Sequence, residues 1–93
     1  MSGHVFHPGH SALHGITVVL DTRLGTTYVG RFHEETERGM LLHDAAAFDP
    51  AAGGNREEFL QRTAKFGVRI DHRHVTVPSA DVVNLVPFGD LAL

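Results

Sequence analysis

Histidine is the residue whose number and spacing in this chain could do chemistry, with eight in 93 residues. His4, His7, His10 and His14 crowd the first fifteen positions, His33 and His43 stand ten apart, and His72 and His74 alternate. Neutral imidazole is the commonest metal ligand, so the first four are candidates for Zn or Ni. His72 and His74, joined by a histidine from a neighbouring subunit, form a second candidate set. Ligation needs neutral rings, and an unperturbed imidazole titrates near pH ~6.5, so the same residues make the charge sensitive to mild acid. The competing reading makes residues 1–15 a polar tail, because no carboxylate there is available to orient the rings. His72 and His74 would then be surface or interface residues. His33 and His43 flank a turn and are expected as cross-strand neighbours, and two imidazoles alone leave a zinc site incomplete.

Other chemistries are poorly supplied. With no cysteine there is neither a thiolate nucleophile nor a disulfide framework. Ser11 and Ser79 lack a nucleophile elbow or triad context, and phosphate-cradling glycine patterns are missing. Glu34, Glu35 and Glu37 read as a solvated turn. The expectation is a binding module and not an enzyme. A formal charge of -3 does not predict a strong phosphate-binding surface. No apolar run reaches membrane-spanning length and the N-terminus lacks a secretory signal, so a cytoplasmic protein without membrane contact is expected.

The elements that must position these residues are short strands. Residues 16–44 alternate with period 2 between glycine-containing turns, the signal of an antiparallel meander. Ile16, Val18 and Leu20 share one face, as do Tyr28, Gly30 and Phe32, then Met40 and Leu42. Gly30, between two aromatics in mid-strand, marks a bend or a close backbone approach. Gly39 suits positive φ at the acidic turn. The stretch 48–54 is a loop, after which Asn55 with Glu58 caps a short helix ending at Gly67, with Phe59, Thr63 and Phe66 on one stripe. A fourth strand is expected over 68–77, Pro78-Ser79-Ala80 makes a one-turn bridge, and a fifth strand spans 81–87. A helical turn over residues 9–13, closed by Gly15, precedes the sheet. The division expected is a His-rich segment at 1–15 and an all-β domain at 16–93, with short N-terminal and loop helices.

These residues resemble the Sm-like (LSm) family over about residues 15–88. Tyr28-Val29-Gly30-Arg31-Phe32 followed by Met40-Leu41-Leu42-His43-Asp44-Ala45 is similar to the first Sm motif. Residues 77–87, VPSADVVNLVP, are similar to the second, an apolar residue, a tight polar turn and an apolar strand closing at proline. The resemblance implies a five-stranded Sm-like or SH3-like small barrel that forms a homo-oligomeric ring of six or seven subunits and binds RNA. A PRC-type or SH3-like barrel shares the strand pattern. The family's RNA pocket is not matched residue by residue: Gly39 stands where an Asn is expected, and Pro78-Ser79 replaces Arg-Gly. Arg38, His72, Arg73, His74 and Ser79 are therefore the candidate nucleic-acid residues, by position near the two turns and by charge.

Overall fold

The computed structural model describes residues 12–93. Five strands form one antiparallel sheet: β1 (Thr17–Thr22), β2 (Thr27–Thr36), β3 (Gly39–Phe48), β4 (His72–Val77) and β5 (Val82–Pro87). A helix, α1 (Arg56–Phe66), lies between β3 and β4. The strand order is β4-β3-β2-β1-β5, so β4 and β5 are the two edges and no ladder joins them. Pro78 explains this: proline and the one-turn 3-10 segment Ser79–Asp81 replace a hairpin, and β5 crosses to pair with β1.

Chain alternation turns into two cores. Val18, Leu20, Phe32, Met40, Leu42, Ala45 and Val77 make the larger one. Val19, Val29 and Leu60 make the second on the opposite side, with Phe59, Val68, Val86 and Phe88 packed around them. β1 is thus buried on both faces, Val19 at 0% exposure, although its sequence alternates like a half-solvated strand. Its neighbours on either side and the cover from α1 decide this. Ile16, expected on the core face, lies just before β1 and is 42% exposed.

Gly30 is a point of close approach, as its place between aromatics predicts. A Cβ there would sit 2.7 Å from the Ala45 Cβ and 2.9 Å from its Cα. The β2–β3 register shifts between Val29 and Arg31 at this point, and Asp44 opposite has φ 51°. The bend is therefore a bulge in which both strands take part. Gly39 has φ 137°, and a Cβ would fall 2.2 Å from the Val77 carbonyl oxygen. Only glycine lets the start of β3 lie against the end of β4.

The helix begins and ends as its residues dictate. The Asn55 side chain accepts the Glu58 N–H at 2.8 Å, and Gly67 at φ 91° returns its N–H to Thr63. Its buried stripe differs from expectation. Leu60 and Thr63 are buried and Phe59 is half-buried against Phe48, whereas Phe66 is 75% exposed. Phe66, the last residue of the helix, borders a cavity beside Ala46 and Ala47 of β3 and packs into neither core. The fourth strand is also shorter than expected, starting at His72 instead of Val68. Asp71 stops it: its N–H donates to the Ala45 carbonyl while its carboxylate accepts the Ala47 N–H, so β3 is capped by a side chain and not paired. Arg69 and Asp71 therefore precede β4. The fifth strand starts at Val82, one residue later than expected, because Asp81 closes the 3-10 turn. Residues 12–15 form a turn that ends at Gly15, φ 83°. The rest of the expected N-terminal helical turn lies outside the described residues.

Candidate functional site

Two polar clusters stand out, and the sheet assembles both from distant segments. The first lies on the outer side of β2, β3 and β4. His43 pairs with His74 across the β3–β4 ladder, and their rings meet edge-on with centroids 4.7 Å apart. On the other side His33 stacks on His43 at 4.4 Å and 17°. His14, from the N-terminal turn, approaches His33 at 5.1 Å and donates from Nδ1 to the His33 carbonyl. The expected His33–His43 neighbourhood is present, as one segment of a longer row. Arg31 donates to Asp44 at 2.6 Å and Arg73 reaches the same carboxylate at 3.5 Å. The Arg31 hydrogen bond holds the Asp44 carboxyl below its ordinary value. His43 is lowered from 6.5, first by desolvation, then by the nearby His33, His74 and Arg31, with Asp44 opposing.

The second cluster is centred on Asp21 of β1. Arg56 at the first turn of α1 donates Nε and Nη2 to its two oxygens at 2.9 and 3.0 Å. Thr27 of β2 donates at 2.7 Å and Asn84 of β5 at 3.3 Å. Desolvation acts to raise the Asp21 carboxyl, but the hydrogen bonds from Arg56, Thr27 and Asn84 outweigh it and the net shift is downward. Sequence reading passed over this residue. Its local signal is weak, a carboxylate following the apolar Val18, Val19 and Leu20 with Thr27 six residues on, and its partners Arg56 and Asn84 lie 35 and 63 residues away.

The candidate nucleic-acid residues are divided by the fold. Arg38 is exposed at the β2–β3 turn, and the exposed Ser79 donates to Glu35 at 3.0 Å, so the β2–β3 and β4–β5 turns share one end of the sheet. His72 begins β4, opposite Ala45, with its ring 6.3 Å from Tyr28. Arg73 and His74 belong to the outer cluster. Along β4, His72 and Val77 are five residues apart, about 16 Å at the usual strand rise. The five residues thus occupy three neighbourhoods: the turn end, the outer cluster, and the place of His72 beside Tyr28. Of the candidate metal ligands, His4, His7 and His10 lie outside the described residues, His14 and His74 are at opposite ends of the imidazole row, and His72 stands apart from it. Among the described residues no three His, Asp or Glu side chains are placed to hold a metal ion. A cavity of about 420 Å³ lies between α1 and the end of β3, lined by Ala46, Phe59, Thr63 and Val68 with Arg62 and Arg69. No described helix is long and apolar enough to cross a membrane.

Comparison with known proteins agrees with this topology. No protein-family model and no curated protein matches the chain. Among solved structures it is similar to a heptameric archaeal Sm protein discussed in relation to the eukaryotic snRNP core, at 15% identity and TM-score 0.60, covering 87% of this chain and 97% of that one. It is also similar to a novel Sm-like archaeal protein from Pyrobaculum aerophilum, at 17% identity and TM-score 0.58 over 88% of this chain. The chain spans half the length of the Pyrobaculum protein. Five antiparallel strands in this order, bent at Gly30 and parted at Pro78, give the chain the Sm-like fold.

Proposed function

We propose that this protein is a ring-forming binding or scaffold module whose subunits join head to tail, β4 of one against β5 of the next. The carrying observation is the pair of edges. β4 is laddered on one side only, to β3, and β5 on one side only, to β1. β5 carries Val83 at 62% exposure together with half-buried Val82, Leu85 and Val86. A free apolar edge of this kind invites strand addition, and pairing the two edges satisfies both. Such a contact is heterologous and must close by rotation or extend into a filament. The heptameric assembly of the similar archaeal Sm protein supports closure, with six or seven subunits as the expected size.

Light scattering on the native protein should give a mass six or seven times the 10.1 kDa chain. Val83 has no partner in the β1 ladder, so Val83→Pro removes an edge N–H without breaking that ladder. This variant should run as a monomer with an unchanged β-type circular dichroism spectrum. A wild-type protein that stays at the mass of one chain at micromolar concentration overturns the proposal. As the ligand of such a ring we propose RNA, met by Arg38 and Ser79 at the turn end and by His72, Arg73 and His74 along β4. Given the net negative charge, binding should be weak, salt-sensitive and tighter at pH 6 than at pH 8. Filter binding with oligo-U and oligo-A measures this, and no retention at low salt and pH 6 removes RNA from the reading.

A further inference from the structure

Four of the five described histidines stand in one file, His14–His33–His43–His74, drawn from the N-terminal turn and from β2, β3 and β4. We infer that this file is an acid-sensitive latch: neutral rings seat the turn at residues 12–15 on β2, and protonated rings lift it away. The turn is held by few contacts. The Gly15 N–H donates to the Phe32 carbonyl at 2.8 Å, His14 donates to the His33 carbonyl, and Leu13 packs on the larger core. The strands beneath are held by full ladders, so the turn is the first element to open.

The charges around the file do not balance once the rings gain protons. The turn contributes His14, β2 contributes Arg31 and His33, β3 contributes His43 and Asp44, and β4 contributes Arg73 and His74. Asp44 is the one carboxylate among them, and two guanidinium groups already share it. Each added proton therefore places an imidazolium beside other cations. Contacts of 4.4 and 5.1 Å fall inside the Debye length of ~8 Å, so physiological salt screens the repulsion poorly. His43, in the middle of the file, already favours the neutral ring, first through desolvation and then for this reason. A base whose protonation is harder in the folded state gives no penalty above its ordinary value and a growing one as pH falls below it. Strain from the inner rings falls on the His33–His14 contact, the one that the weakly held turn can release.

Amide hydrogen exchange by NMR on the full chain tests this, at pH 7.5 and pH 5.5 with rates normalised for intrinsic exchange. Protection at Gly15 and Ile16 should fall by about tenfold or more at pH 5.5, while Val19 in the β1 ladders keeps its protection. His43→Gln removes the central charge and should keep the turn protected at pH 5.5. Equal protection at both pH values overturns the latch, as does a loss shared equally by Val19. If His43→Gln does not fold, ring titration of the wild type replaces it: a depressed His43 transition that depends on its neighbouring rings supports the latch, and a His43 transition at the ordinary value, independent of its neighbours, overturns it.

Discussion

Asp21 and Asp44 are both strand carboxylates that meet arginines, and their surroundings differ in a way that separates structure from response. Asp21 is enclosed by three strands and the helix, with donors from Arg56, Thr27 and Asn84. Its side chain is 17% exposed and its one negative charge meets one guanidinium. Asp44 lies at the surface of a bulge, faces Arg31 and Arg73, and has a file of imidazoles beside it. The first carboxylate is saturated and ties α1, β2 and β5 to β1. The second is outnumbered by cations and leaves its neighbourhood open to titration. A saturated site fixes geometry, whereas an under-compensated one answers to pH.

The largest expected effect comes from breaking the saturated site. Asp21→Ala leaves three donors without their acceptor and should lower stability by about 2 kcal/mol in urea unfolding. Asp44→Ala should move the urea midpoint much less, because both of its arginines can turn to water. A result in the opposite order would dissolve the contrast.

The next effect is in acid, where the two regions should lose stability in different windows. His43 is lowered from 6.5, so its contribution is intact above that value and is lost as pH falls below it. Asp21 is lowered from 3.8, so its contribution is present above 3.8 and is lost only as pH falls through its lower folded value. Urea midpoints measured from pH 8 to pH 2 should therefore decline in two stages. His43→Gln should remove the first stage, and Asp21→Asn should shrink the second to the smaller part left by Asp44, whose carboxyl is also lowered from 3.8.

A smaller effect sharpens the Asp21 geometry. Arg56 uses two nitrogens on two oxygens, so Arg56→Lys keeps the charge but loses the fork, at a cost of about 1 kcal/mol. Smallest of all is Arg73→Ala. This exposed pair at 3.5 Å should contribute less than about 0.5 kcal/mol, and its loss should make the acid response of the file shallower, by removing one cation and leaving Asp44 freer to balance the rings.

Much of this architecture is legible before any coordinates. Alternation in residues 16–44, the turn glycines Gly25 and Gly39, the Asn55 cap and the Gly67 stop each depend on a few neighbouring residues, and all appear where local chemistry puts them. The bend at Gly30 is readable for the same reason: a missing side chain is a local fact. Pro78 likewise forbids a β4–β5 hairpin by its own ring. The errors fall where a neighbour from elsewhere decides. Val68 to Asp71 look like strand, but the Asp71 carboxylate reaches back to cap Ala47 and ends the ladder. Phe66 fits the helical stripe, yet it borders a cavity against β3 and stays exposed.

The polar clusters divide in the same way. Sequence spacing placed His33 near His43, since one hairpin brings them together. It could not add His14 and His74, which arrive through the start of β1 and through β4. Nor could it mark Asp21, whose partners Arg56 and Asn84 lie 35 and 63 residues away along the chain. Residue type and short-range spacing determined the strands, their turns, the helix caps and the supply of imidazoles. Only the tertiary structure decided which carboxylate is saturated and which histidines share one file, because register and strand order, set by burial of two apolar faces at once, bring distant residues within hydrogen-bond or ring-contact range.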